Sequence, residues 1–409
     1  MGTKPVLDLE EADIKGTDII IGIPSYNEEN TIGFVTAQAA SGLKKYFSQY
    51  SCLIINVDNN SEDNTKQVFL NTDTQGIKKV YVSTEPGVKG KGNNFYNLFR
   101  IIKDLQPKAV AVIDADLRSI TPEWIKNLCT PVLKGYDLVT PIYARHKYDG
   151  TITNNIVYPL ITGLLGKNIR QPIGGDFGFS TRLAEHWLEQ EWDDTTRQYG
   201  IDVFMTTHAL LGGFKLCSAY LGAKVHKVKD PSQSLGPMFK QVISTLFSMV
   251  NNNKEAIMHN HCQIEETVIF GDNNVSEPPR MCINTENLRR AFNKEVNKSL
   301  FILKQYLSDD TYNELRNVCL EIGGLSPELW ARIIYDLLVA YQKAEDKEEL
   351  VEAIKPLYFG RIYSFAKETA GMSHREAELE VQRQARIFHN LREYALNRLI
   401  GTPVKTRIN

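Results

Sequence analysis

Paired cysteines, long apolar runs and a dominant charge are all missing from this sequence, and each absence removes a class of function. The chain has 409 residues and six cysteines. Cys52, Cys129, Cys217, Cys262, Cys282 and Cys319 are scattered and form no Cys-x-x-Cys pair. That spacing argues against a zinc knuckle or a disulfide framework and suits reduced thiols in a cytoplasmic protein. No run reaches the roughly 18 apolar residues that a membrane-spanning helix needs, and 241–250 is the nearest approach. The start, Met1-Gly2-Thr3-Lys4-Pro5-Val6, has no apolar signal core, and position 6 lacks the Ser or Thr of a myristoylation site. Lys and Arg total 47 against 49 Asp and Glu, a net charge of −2, so no nucleic-acid coat or basic membrane surface is expected. There is no internal repeat, no Gly-x-Ser-x-Gly elbow, no kinase signature and no P-loop.

What is present is an alternation of apolar strands and helical patterns. Residues 1–17 are polar and read as a loose tail. Buried strands are expected at 18–24, 52–58, 79–83 and 109–113, with helices at 28–46, 64–70 and about 93–103 between them. Continuous apolar strands in this rhythm predict a parallel sheet covered by helices, with ligands outside the carboxyl ends of the strands. Those ends carry Pro24-Ser25-Tyr26-Asn27-Glu28, Asp58-Asn59-Asn60-Ser61-Glu62-Asp63 and Asp114-Ala115-Asp116. A sheet domain over 18–232 and a helical domain over 233–409 follow. In the latter, helices are expected at 286–307, 310–322, 327–343 and 373–399. Ser326-Pro327 reads as a cap followed by a first-turn proline, and Ser373-His374-Arg375-Glu376 as a capping box.

Asp114-Ala115-Asp116 brings two hard anionic side chains to a strand end, a pattern that suits Mg²⁺ or Mn²⁺, or equally a solvated turn. Lys89-Gly90-Lys91-Gly92-Asn93-Asn94 opens a helix and could cradle an anion; a mobile basic loop is the plainer alternative. Paired glycines in Gln171-Pro172-Ile173-Gly174-Gly175-Asp176 would permit close approach of a ligand, or simply make a tight turn. Asp202, in Tyr199-Gly200-Ile201-Asp202, reads as a site acid or as a helix N-cap. In Ala223-Lys224-Val225-His226-Lys227-Val228-Lys229, His226 is a metal ligand or a histidine satisfied at the surface, and Lys227 and Lys229 are phosphate partners or solvated. His259-Asn260-His261-Cys262 has no second ligand pair at zinc spacing and reads as a loop.

Taken in order, these motifs resemble the GT-A glycosyltransferases. The pattern is similar to the retaining mannosylglycerate synthase and glucosyl-3-phosphoglycerate synthase families over about 18–230. The resemblance implies an α/β GT-A fold, a Rossmann-like mixed sheet with a helical C-terminal region. It implies that Ile23, Pro24, Tyr26, Glu28, Asn59, Lys91, Asp114 and Ala115 bind a nucleotide-sugar donor. Asp116 and His226 would ligate Mg²⁺ or Mn²⁺. Arg145 and Thr153, eight residues apart with Asp149 between them, would bind an acceptor carboxylate together with Gly174 and Gly175. Asp114 and Asp202 would serve catalysis at the transferred sugar, and His146 and Lys147 stand where an acceptor phosphate would suit them. The first-strand motif Pro24-Ser25-Tyr26-Asn27-Glu28-Glu29 looks more like the phosphoglycerate enzymes, while Asp176 replaces the usual Glu.

The implied activity is metal-dependent transfer of mannose or glucose, from GDP-mannose or UDP-glucose, to a small carboxylate such as D-glycerate or 3-phosphoglycerate. The product would be a mannosylglycerate or glucosylglycerate, a compatible-solute type of molecule. A homodimer is common among such enzymes. The alternatives are an inverting GT-A enzyme with Asp176 as general base and a non-catalytic nucleotide-sugar binding protein.

Overall fold

The computed structural model describes residues 14, 16–226, 236–259, 263–273, 277–278, 280–320 and 324–400. They form two compact units. One comprises 1–145, 171–227 and 267–279; the other comprises 146–170, 228–266 and 280–409. The division is therefore not a single cut near residue 232. A segment from within the sheet region joins the helical unit, and a short strand from beyond residue 260 returns to the sheet.

In the first unit the strands are β1 (Ile19–Ser25), β2 (Cys52–Asp58), β3 (Lys78–Ser83), β4 (Ala109–Val112), β5 (Leu138–Ala144), β6 (Phe177–Phe179), β7 (Leu216–Ala223) and β8 (Ile269–Phe270). Their order across the sheet is β8-β7-β5-β6-β4-β1-β2-β3. The helices are α1 (Ile32–Tyr46), α2 (Thr65–Asn71), α3 (Lys91–Leu105), α4 (Pro122–Leu133), α5 (Thr181–Glu189) and α6 (Ile201–Leu211). Every residue of β1 is buried, as expected of a central strand covered on both faces. Its Ile19, Ile21 and Ile23 share a core with Val35 and Leu43 of α1 and with Trp124, Ile125 and Leu128 of α4. Near α3, Phe99 meets Phe179 of β6 edge-on with ring centres 5.6 Å apart. The expected helix at 28–46 begins only at Ile32, because Glu28–Thr31 form a turn in which Glu28 O accepts Thr31 N at 3.1 Å and Ile32 N at 2.9 Å.

The sheet is mixed where the strand pattern alone predicts it parallel. β1 pairs in parallel with β2 and β4, but β6 runs antiparallel between β4 and β5. This reversal positions the site. Val112 faces Phe177 in the register, so the chain leaving β4 meets the chain entering β6, and Asp114 lies beside Asp176.

The helical unit contains helices Gly236–Asn252, Thr285–Leu303, Asp309–Leu320, Pro327–Tyr341, Lys347–Glu368, His374–Asn390 and Arg392–Ile400. Ser326 caps the helix it precedes, and Ser373 with Glu376 forms the expected capping box. The expected helix at 373–399 is two helices that break at Leu391. Lys347–Glu368 escapes sequence reading because it is buried on most sides and carries Pro356 inside, so it shows no clean apolar stripe. Helix Tyr158–Leu165, buried at every position, is hidden for the same reason. His259 ends a helix at Lys254–His259, while residues 260–262, including Cys262, lie outside the described residues. Among the described residues Cys52, Cys129, Cys217, Cys282 and Cys319 are free, and no helix is long and apolar enough to cross a membrane.

One buried titratable group sets an acid limit on this fold. Burial, aided by the neighbouring His186, lowers His208 on α6 from 6.5 to about 4. The unfolded chain takes up this proton first, so its contribution is full above about pH 6.5 and is lost as pH falls toward 4. His208→Gln is expected to flatten that part of the stability-versus-pH curve by on the order of 2 kcal/mol. Urea unfolding at pH 7.5, 6 and 4.5 measures it.

Candidate active site

The carboxyl ends of β1 and β2 are tied together by buried polar groups. Ser25 Oγ and Ser61 Oγ both donate to Asp58 Oδ1, at 2.7 and 2.6 Å, and Asn56 Nδ2 donates to Ile23 O at 2.7 Å. Ser25 O receives Asn59 N at 3.0 Å and Asn94 Nδ2 at 3.3 Å. The side-chain carbonyls of Asn59 and Asn94 are buried without a hydrogen-bond partner, an arrangement that costs free energy until a donor arrives. Ile23 and Pro24 are buried in β1, Glu28 is partly buried, and Tyr26 is exposed with its hydroxyl 3.0 Å from Lys89 Nζ.

At the end of β4 the side chains form a chain of alternating charge. Lys91 Nζ lies 3.1 Å from Asp202 and 3.1 Å from Asp114. Lys224 Nζ lies 2.9 Å from Asp114, 2.8 Å from Asp176 and 2.8 Å from Gly174 O. Asp176 also accepts Asp114 N at 2.8 Å and the hydroxyl of Tyr143. The Arg145 guanidinium sits 5.1 Å over the Tyr143 ring. Although burial opposes it, the two lysines hold Asp114 well below the usual carboxylate range. Burial likewise opposes charge on Lys91 and Lys224, yet their acids hold both ammonium groups above the usual range. Asp202 is raised, chiefly by burial.

Asp116 behaves differently. Burial and then the charge of Asp114 raise its carboxyl, while Lys224 and His226 act in the opposite sense. Asp116 and His226 therefore share one electrostatic neighbourhood despite their separation in sequence. Among the described residues no group of three or more His, Cys, Asp or Glu is arranged to hold a metal ion. Asp116 and His226 could supply two donors, one hard oxygen and one imidazole nitrogen, with the remaining positions left to water or a ligand.

Several expectations change on contact with this geometry. Gly90 and Gly92 bring the start of α3 against the chain's own backbone: an added Cβ would lie 2.4 Å from Arg197 O at Gly90 and 2.0 Å from Thr196 O at Gly92. Gly92 N and Asn93 N donate to Gln198 O and Arg197 O, both at 3.1 Å, so these N–H groups are not open to a phosphate. Gly175, at φ +91°, lets Asp114 approach: a Cβ there would lie 2.1 Å from Oδ2. A Cβ on Gly174 would strike Pro141. Asp202 is not the cap of α6, which is Gly200; it lies inside the first turn and pairs with Lys91. Asp176, read as a candidate catalytic acid or base, is fully buried and accepts from three donors. Thr153, 6% exposed, belongs to the helical unit together with Asp149. In that unit Lys147 Nζ donates to Thr369 O at 2.6 Å and Met372 O at 2.8 Å, a structural use of a side chain read as a phosphate partner. Lys227 and Lys229 lie outside the described residues.

Lys224 and Tyr143 are the residues that sequence reading missed. The signal for Lys224 was its place two residues before His226; Tyr143 gave none, since an aromatic near a strand end is usually core. Lys224→Met is expected to leave Asp176 buried without its cation and Asp114 with Lys91 alone, and to cost about 3–5 kcal/mol. Urea denaturation checks it; a loss under about 1 kcal/mol would contradict the pairing seen here.

Residues 20–186 match the model of Glycosyl transferase family 2. No curated protein matches the chain. Among solved structures the chain is similar to glucosyl-3-phosphoglycerate synthase from Mycobacterium tuberculosis in complex with Mg²⁺ and uridine diphosphate, at 26% identity over 60% of this chain and 84% of that one, with a TM-score of 0.46. It is also similar to that enzyme with Mn²⁺, uridine diphosphate and phosphoglyceric acid, at 27% identity over 59% of this chain and 81% of that one, with a TM-score of 0.46. A third structure of it, with Mn²⁺, uridine-diphosphate-glucose and phosphoglyceric acid, is 25% identical over 61% of this chain and 85% of that one, with a TM-score of 0.45. The family match over 20–186 takes in β1 to β6 and the strand-end acids, so this part of the chain is similar to the family 2 glycosyltransferases.

Proposed function

We propose that this enzyme transfers a hexose from a nucleoside diphosphate sugar to a hydroxyl of a small carboxylate acceptor, with a divalent cation and with retention of anomeric configuration. The observation that carries the reading is the shortage of cations around Asp116. Three carboxylates, Asp114, Asp176 and Asp202, share Lys91 and Lys224, while Asp116 beside them is raised by burial and by the charge of Asp114, with Lys224 and His226 acting in the opposite sense. A divalent ion bound by Asp116 and His226 would supply Lewis-acid neutralisation of a leaving diphosphate.

The other roles fall to residues around that pair. Buried Asn59 and Asn94 carbonyls await N–H or O–H donors, which a base and ribose provide. Ile23, Pro24, Tyr26, Glu28 and Ala115 would line the same donor. Lys91, held between Asp114 and Asp202, would share the departing charge. Arg145 would grip the acceptor carboxylate by a bidentate contact, with Gly174 and Gly175 of the same unit beside it. Retention is supported by the way the acids of this cluster are engaged. Asp176 is enclosed and Asp202 is paired, which favours the leaving diphosphate as the base for the incoming hydroxyl in a front-face substitution. This ordering of roles disfavours the inverting alternative.

Purified protein is expected to turn over one pairing in a matrix of UDP-glucose and GDP-mannose against D-glycerate and 3-phosphoglycerate, with Mg²⁺ or Mn²⁺ and not with chelator. Proton NMR of the product reads the anomer, and inversion would refute the front-face proposal. Asp116→Asn and His226→Ala should each lower kcat/KM by more than about 100-fold, beyond the loss typical of supporting partners. Normal metal-dependent activity in either variant would refute the ligand assignment. Binding of nucleotide sugar without turnover would favour the non-catalytic alternative.

A further inference from the structure

Lys224 stands where two strand ends of the sheet unit come together. The segment after β7 is tied beside the turn that follows β4: Arg118 N donates to Val225 O and Val225 N donates to Ser119 Oγ, both at 2.8 Å. Two acids spaced by one residue therefore meet two further side chains spaced by one residue. Asp114 lies 2.9 Å from Lys224, and His226 acts on the charge of Asp116. The spacings Asp-x-Asp and Lys-x-His thus give the two carboxylates different partners.

An ammonium has three N–H groups, and Lys224 uses all of them: on Asp114 Oδ2 at 2.9 Å, on Asp176 Oδ2 at 2.8 Å and on Gly174 O at 2.8 Å. Its side chain is 4% exposed. So saturated, it keeps no donor for a diphosphate. Asp176 completes the grip, because one of its oxygens accepts Asp114 N and the other accepts Lys224. One buried pair therefore holds both the main chain and the side chain of Asp114. Lys91 takes the remaining oxygen of Asp114, Oδ1, at 3.1 Å. Gly175 walls off Oδ2, which would lie 2.1 Å from an added Cβ. A carboxylate held between two ammonium groups is a poor ligand for a further cation, since its charge is already neutralised and the ammonium groups repel the newcomer.

We propose that Lys224 is a positioning residue that keeps Asp114 off the metal ion, so that of the two acids only Asp116 enters the coordination sphere and Asp114 stays available to hydroxyl groups of the donor. This rests on the assignment of Asp116 and His226 as metal ligands proposed above. An unrestrained Asp-x-Asp pair would offer the ion a second carboxylate, bind it more tightly and lose the hydroxyl contact. Lys224 thus weakens metal binding and in doing so places the sugar nucleotide.

Titration of the full chain with Mn²⁺ alone, read by electron paramagnetic resonance, separates the outcomes. Lys224→Met should tighten Mn²⁺ about tenfold, and the ion should lose about one bound water as a carboxylate enters. Damage to the fold would weaken the ion instead, so a merely structural role does not produce this result. Loss of a nearby positive charge would also favour Mn²⁺, and Asp114→Asn tells the two causes apart. In the Lys224→Met background Asp114→Asn should lower Mn²⁺ affinity about tenfold, and in the wild-type background it should change it less than about threefold. Equal effects of Asp114→Asn in both backgrounds, or Mn²⁺ binding in Lys224→Met that is unchanged or weaker, would overturn the inference. So would full kcat/KM for the donor sugar in Lys224→Met at saturating Mn²⁺, where a loss of at least about tenfold is expected. If Lys224→Met does not fold, Lys224→Met with Asp176→Asn removes the cation and the buried anion together and carries the same comparison. Unchanged Mn²⁺ affinity in Asp116→Asn would overturn the metal assignment itself, and the present inference with it.

Discussion

The site is organised by one constraint: Asp114 must stay ionised at the end of a buried strand. Taking a carboxylate and its partners out of water costs several kcal/mol per ion unless geometry and hydrogen bonds compensate. Here compensation comes from both sides, with Lys91 on one oxygen and Lys224 on the other. Each lysine in turn has a second acid, Asp202 or Asp176. The result is an ordered sequence of charges in which Asp114, Asp176, Asp202, Lys91 and Lys224 each have a direct ionic partner. Gly175 belongs to the same device, since only a residue without a Cβ leaves room for the Asp114 carboxylate.

That constraint explains the topology. A wholly parallel sheet would place the entry to the strand after Gly174-Gly175-Asp176 at the far end from Asp114. The antiparallel course of β6 puts it alongside, where Asp176 can receive Asp114 N and brace Lys224. The same logic governs the start of α3. Its glycines admit the backbone of residues 196–198, and this packing places Lys91 between Asp114 and Asp202. The glycine-rich segments thus act by building the charge network.

The parts of this architecture that sequence reading captured are those with a one-dimensional signature. β2 matches its expected limits, and β1, β3 and the caps at Ser326 and Ser373 fall within a residue or so of theirs, because continuous apolar runs and cap spacing are local properties. The Asp114-Asp116 motif, Lys91 and Asp202 were singled out from chemistry and position. Partner identities were not legible. Lys224 is an ordinary lysine in a basic run until β7 brings it to Asp114, and Asp176 looks like a free acid until Tyr143 and Lys224 enclose it. Buried helices such as Lys347–Glu368 lack a polar face, so their periodicity carries no signal. The π-helical turn Thr153–Val157 is invisible for a further reason: Trp330 and Gln384, which donate to Asn155 O and Asn154 O, lie some 175 and 230 residues away in the chain.

The central claim is that Asp116 and His226 meet around one cation. Pulsed electron paramagnetic resonance of Mn²⁺ bound to the protein with a nucleoside diphosphate reads this most directly. The account predicts a coupling from one directly bound imidazole nitrogen in the wild type that vanishes in His226→Gln. Mn²⁺ bound with no nitrogen coupling, or a coupling that survives that substitution, would contradict it.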